Sequence, residues 1–330
     1  MGSIHKIWCS VVDHRNLEEI VGIQDDVFKV WTDDPKDIKE PLEKYGSDLK
    51  KIIIQDEGDE DIPPSIYQLL AKCTKLNYAR VECRDHDRLE LFLKYLPADN
   101  LEDLSINFRN TREDYHKNND KITSRLNPLM RNVLEKTLKL KSLELNYVPI
   151  SKLPYIGGME TLKSLYINTR NLPLFNFDMQ KLKNLETLSI SFDYIKNENT
   201  ITELIRTCRK LHSIRFNASR ILPRAVLNEM MSLPNLRRLH LSTTSDSYEL
   251  WHNFSNLEEI RISQYKPLKS TEDEIKSFIQ RSSNLKTYYF LFESCGEFNK
   301  LFHQLSCQMG HECENHYPNE WTNWYNSTPF

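Results

Sequence analysis

One short apolar pattern, Leu-x-x-Leu-x-Leu or a near variant, recurs ten times along the 330 residues. The clearest copies are Leu101-Leu104-Ile106, Leu140-Leu143-Leu145, Leu162-Leu165-Ile167, Leu185-Leu188-Ile190, Leu236-Leu239-Leu241 and Leu257-Ile260-Ile262. Weaker copies are Leu49-Ile52-Ile54, Leu76-Ala79-Val81, Leu211-Ile214-Phe216 and Leu285-Tyr288-Phe290. Their leading residues lie 27, 25, 39, 22, 23, 26, 25, 21 and 28 apart. A spacing of about 26 residues holds one short strand and one returning segment, and no independent core. Positions 4 and 6 follow the period of a strand, so one strand face is apolar, while positions 3, 5 and 7 are mostly polar. A unit of this kind cannot cover its own apolar edge. The copies must stack and share one continuous core.

Between the strands run amphipathic stretches with helix-opening signals. Pro63-Pro64-Ser65 precedes IYQLLAKC, and Ser270-Thr271-Glu272-Asp273 precedes EIKSFIQRSS. NTITELIRTC and RAVLNEMMSL read the same way. The predicted fold class is therefore α/β: a leucine-rich-repeat solenoid (horseshoe) with a parallel concave sheet and a helical convex side. Residues 1–48 are expected to form an N-terminal cap with a degenerate first repeat that includes the strand VFKVW and the helix PKDIKEPLEKYG. Residues 49–292 hold about ten repeats, and 293–330 a C-terminal cap and tail. Asn100, Asn184, Asn235, Asn256 and Asn284 each precede a leading leucine, where a left-handed turn residue is expected. Cys73 and Cys208 each lie three residues before one, which predicts burial on the helix side. The longest interval contains a polar excursion over 107–130, expected to project as a loop.

Composition narrows the function. With 39% hydrophobic and 28% charged residues the chain has the balance of a folded protein. It has no apolar run of the roughly 18 residues that a membrane helix needs, and no signal-peptide pattern. Seven scattered cysteines then read as free thiols, and a cytoplasmic or nuclear location is expected. A net charge of −3 gives no general attraction to nucleic acid or anionic lipid. Neither GxGxxG, a Walker loop, GxSxG nor HExxH occurs, and 8 glycines leave little for phosphate-cradling loops. Neither a cofactor nor an enzymatic activity is expected.

Binding residues are sought on the outward strand positions. Position 5 presents Arg80, Ser105, Glu144, Tyr166, Ser189, Arg215, His240, Arg261 and Tyr289, and position 3 adds Arg238 and Glu259. Parallel strands stack about 4.8 Å apart, so Arg215, Arg238, His240 and Arg261 should form one basic patch flanked by Tyr166 and Tyr289. Guanidinium forks suit carboxylate or phosphate, which points to an acidic or phosphorylated protein segment. Glu258 and Glu259 are the groups able to neutralise the patch from within. In the tail, Cys307, His311, Cys313 and His316 supply nitrogen and sulfur donors of the zinc type. Their spacing, C-x3-H-x-C-x2-H, is too compressed for a usual finger and reads better as an ordinary cap.

The degenerate motif, the cysteine-containing lead-in and the lack of an asparagine at position 9 narrow the type. Position 9 reads Val148, Arg170, Asp193, Ser219, Thr244 and Tyr265. The chain resembles the repeat region of eukaryotic F-box/leucine-rich-repeat proteins over approximately 28–292, although no segment resembles the F-box itself. The resemblance implies a protein-interaction module, a ubiquitin-ligase-type substrate receptor lacking its box. The competing expectation is a stand-alone inhibitor or effector that wraps and blocks an enzyme.

Overall fold

The computed structural model describes residues 5–10, 28–32, 36–55, 62–108, 119–148, 160–172, 182–195, 198–218, 222–243, 254, 256–264, 277–278 and 280–292. Within these, the strands are β1 (His5–Ser10), β2 (Phe28–Thr32), β3 (Lys51–Gln55), β4 (Tyr78–Cys83), β5 (Asp103–Phe108) and β6 (Ser142–Asn146). They continue with β7 (Ser164–Leu172), β8 (Thr187–Ile195), β9 (Ser213–Ala218), β10 (Arg238–Thr243), β11 (Glu259–Gln264) and β12 (Thr287–Phe292). All lie in one sheet, in the order β12 through β3 and then β1 and β2. From β3 to β12 every neighbouring pair is parallel. These ten rungs correspond one to one with the ten sequence motifs.

The register keeps the motif in phase. Position 4 stacks as Ile52, Ala79, Leu104, Leu143, Leu165 and Leu188, and continues through Ile214, Leu239, Ile260 and Tyr288. All ten leading leucines are buried, as are the described position-6 side chains from Ile54 to Ile262. Against this face pack α1 (Lys36–Tyr45), α2 (Pro64–Leu69), α3 (His86–Tyr95), α4 (Asn119–Lys136), α5 (Glu198–Thr207) and α6 (Arg224–Met231). Pro64 sits in the first turn of α2, where a missing N–H costs nothing. α3 is capped by Asp85, whose carboxylate accepts the Asp87 N–H at 3.0 Å. Cys73 and Cys208 lie in the helix-side core as expected, and burial pushes both thiols up to about 12. Helices are about 10 Å wide and strands about 4.8 Å apart, so the helical side takes the longer arc and the sheet lines the concave side.

Three expectations are corrected. The segment VFKVW does form a strand, β2, but it adds no parallel rung: β1 lies between β2 and β3 and is antiparallel to both. Reversed strands end the parallel ladder at that edge. The 107–130 excursion is not simply a loop, because α4 begins at Asn119 and runs 18 residues, through Pro128. Its Ile122, Leu126, Met130, Val133 and Leu134 are buried at helical spacing, an apolar stripe that the surrounding polar residues obscured. Finally, among the described residues the single non-glycine with positive φ is Tyr147, at 55°. The turn asparagines therefore serve in another way. Asn100 and Asn184 donate from Nδ2 to the carbonyls of Thr74 and Glu160 in the preceding repeat, at 3.0 and 2.8 Å. The expected helix opening at 270–273 and the tail donors Cys307, His311, Cys313 and His316 lie outside the described residues.

Candidate interaction face

Among the described residues the helices pack on the opposite face, and the chemistry of positions 3, 5 and 7 belongs to side chains held in register by the strands. On β9, β10 and β11 the ladder pairs Arg215 with His240 and His240 with Arg261, and it pairs Arg238 with Glu259. The predicted basic residues are therefore brought onto three adjacent strands. Their centre is a residue read in the sequence only as a neutraliser. Glu259 accepts from Arg261 Nε at 2.6 Å, stands 3.0 Å from His240 Nε2, and has Arg238 Nε at 3.9 Å. Hydrogen bonding to His240, with help from Arg261, outweighs burial and holds the Glu259 carboxyl down at about 2.

His240 departs from expectation. Its side chain is buried, and burial lowers its pKa from the ordinary 6.5 despite the nearby carboxylate. The pair is thus an ionised Glu259 accepting the Nε2–H of a neutral imidazole. His240 spaces and orients the patch and adds no cation to it at neutral pH. Arg238 is the most open of the group, with 51% of its side chain exposed, while Arg261 is held at 25%. Tyr289 pairs with Arg261 in the ladder, as expected of a flanking position.

Tyr166 is not adjacent to the arginines. Its ladder partners are Glu144 and Ser189, and burial pushes its hydroxyl up. It belongs to a second polar cluster on β4–β7. There Glu144 accepts from Ser105 Oγ at 2.8 Å on one oxygen and from Asn146 Nδ2 at 2.6 Å on the other. Arg80 Nε donates to Glu82 at 2.9 Å, and that carboxylate is 1% exposed. Asp103 is raised by burial and by its neighbour Glu102. Reading the motif rows brings Glu144 and Arg80 into view, but only the packing shows one carboxylate held by neutral donors and the other buried against a guanidinium.

No group of metal-ligating side chains is assembled among the described residues. Nor is any described helix long and apolar enough to cross a membrane.

Fold and face together define a leucine-rich-repeat solenoid with a charged sheet surface. Neither a protein family profile nor a curated protein matches the sequence. Among solved structures, the chain is similar to an internalin C2 from Listeria monocytogenes at 18% identity, covering 69% of this chain and 92% of that one, with a TM-score of 0.43. A second internalin from the same organism shows 15% identity over 81% of this chain and 92% of that one, with a TM-score of 0.35. The ectodomain of the Arabidopsis thaliana receptor kinase GASSHO1/SCHENGEN3, solved with Casparian strip integrity factor 2, shows 15% identity. That match covers 68% of this chain and 31% of the receptor, with a TM-score of 0.33.

Proposed function

We infer that this protein is a protein–protein interaction module that captures an acidic or phosphorylated segment on β9–β11. The observation that carries the reading is the gathering of Arg215, Arg238 and Arg261 on three adjacent strands, with Arg238 and Arg261 ranged about the Glu259 carboxylate. Arg238, half-exposed and only 3.9 Å from Glu259, offers a guanidinium fork suited to bidentate capture of carboxylate or phosphate.

Arg261 and His240 are tied to Glu259, so reversing Arg261 would disturb the fold as well as the surface. The cleaner test is the double variant Arg215→Glu and Arg238→Glu, followed by affinity capture with mass spectrometry. Partners recovered by the wild-type protein are expected to vanish from the variant, with thermal unfolding shifted little. Equal recovery would end the reading.

The resemblance to F-box/leucine-rich-repeat proteins supports a more specific role, the substrate receptor of a ubiquitin ligase. A cullin adaptor among the captured proteins is its expected signature. An inhibitor that wraps an enzyme would use the same concave face and would instead recover one tight enzyme partner.

A further inference from the structure

Charges on the outward face are sorted by strand. On β4–β6 they comprise one cation, Arg80, and three carboxylates, Glu82, Asp103 and Glu144, so acidic residues predominate. On β7 and β8 positions 3, 5 and 7 hold Ser164, Tyr166, Asn168, Thr187, Ser189 and Ser191, which are all neutral. On β9–β11 the same positions hold Arg215, Arg238 and Arg261 with one carboxylate, Glu259, and a neutral His240, so basic residues predominate. Lys51 on β3 marks the outer margin of the acidic block.

This sorting is not general in the molecule. One position away, on the rim, opposite charges pair: Lys141 with Glu102 at 2.7 Å, Lys163 with Glu186 at 2.9 Å, and Lys286 with Glu258 at 2.9 Å. The rim satisfies itself. The outward face keeps like charges together on neighbouring strands, an arrangement that costs repulsion unless a complementary group covers it.

Within the acidic block Arg80 is engaged by Glu82. Glu144 is held on both oxygens by neutral donors, while Arg80, which feels its charge, is hydrogen-bonded to Glu82. It is a fixed, half-exposed carboxylate facing the same space as the arginines.

We propose that this face binds an extended protein segment that crosses the strands, with acidic residues on β9–β11 and basic residues on β5 and β6. The proposal rests on the acidic-segment reading above and adds the second pole. Charge complementarity selects the occupant: nucleic acid and anionic lipid present one sign throughout and would meet Asp103 and Glu144 unfavourably. Three strand intervals separate Glu144 from Arg215 and five separate it from Arg261, about 14 and 24 Å at about 4.8 Å per strand. An extended chain rises about 3.3 Å per residue, so the ligand's charge blocks lie about four to seven residues apart.

The test uses fluorescence anisotropy with the full chain and synthetic peptides. One peptide carries a glutamate run, a Gly-Ser spacer of about six residues and a lysine run, made in both chain orders. A second has the same composition with glutamate and lysine alternating, and a third has the glutamate run alone. The block peptide, in one order, is expected to bind about ten-fold tighter than either of the others. Glu144→Gln preserves shape and an acceptor for Ser105, and it should reduce the block peptide to the affinity of the glutamate run alone. Arg238→Ser should weaken both of those peptides. Equal binding of block and alternating peptides, or no response to Glu144→Gln, overturns the two-pole proposal and leaves the acidic-segment reading standing. Absence of binding by either glutamate-run peptide overturns both. Tighter binding of a single-stranded oligonucleotide than of the block peptide also overturns the two-pole proposal.

Discussion

Glu259 illustrates how much a single side chain at a repeat position can decide. It sits at position 3 of β11, opposite Arg238 in the ladder, where the sequence has it neutralise the arginines. Its carboxylate also lies within hydrogen-bonding distance of His240 and Arg261. Its folded pKa of about 2 lies below the ordinary 4.5, so its contribution to stability is present above pH 4.5. That contribution is lost as pH falls through about 2. His240, lowered from 6.5, works in a separate window: the unfolded chain takes up its proton first, so stability falls as pH drops through 6.5. Glu259→Gln is expected to be less stable than wild type at neutral pH, with the difference closing between pH 4.5 and about 2. Denaturation midpoints measured across that range check it; a difference independent of pH would remove Glu259 ionisation from the account. Asn184 carries a related lesson. Its Nδ2 reaches back to the Glu160 carbonyl and its Oδ1 accepts from Lys210 at 2.7 Å, so it ties repeats together with an ordinary backbone.

At the scale of the element, α4 shows propensity yielding to burial. Asn127-Pro128 in a polar stretch reads as a breaker, and proline inside a helix costs about 3 kcal/mol. Five buried side chains along one stripe, from Ile122 to Leu134, each contribute about 1.5–3 kcal/mol. The stripe outweighs the break. Pro128→Ala is accordingly expected to stabilise the protein by about 1–3 kcal/mol, and Met130→Ala to destabilise it by about 2–5 kcal/mol. Urea unfolding of both variants decides the matter; no gain from Pro128→Ala would mean that the proline ring's own packing offsets the lost hydrogen bond. The edge strands teach the opposite lesson. β1 and β2 have strand-forming composition, but nothing local to them specifies that β1 should lie antiparallel between β2 and β3.

For the whole molecule, stability is a sum over stacked neighbours. Leu165 in β7 is fully buried between Leu143 and Leu188, so Leu165→Ala should cost about 2–5 kcal/mol. The loss should spread to both sides. Hydrogen exchange is expected to quicken in β6 and β8 as well as in β7, and quickening confined to β7 would contradict the shared core. Exposed rim pairs such as Lys141–Glu102 contribute at most about 1 kcal/mol each and do not hold the stack together.

The ten-fold spacing of leucines determined the repeat number, the parallel rungs and the buried positions, because a period of two within a period of about 26 allows one continuous core. The motif also determined which side chains face outward, and so placed Arg215, Arg238, His240 and Arg261 together. Only the tertiary structure decided their chemistry. Whether a histidine is a cation or a neutral donor, and whether a glutamate stays ionised, depends on burial and on partners about 20 residues away in sequence. The same holds for the second pole. Arg80 is engaged by Glu82 while Glu144 is held by neutral donors from its own strand and the next, a distinction made by contact geometry that the spacing of residues along the chain does not encode.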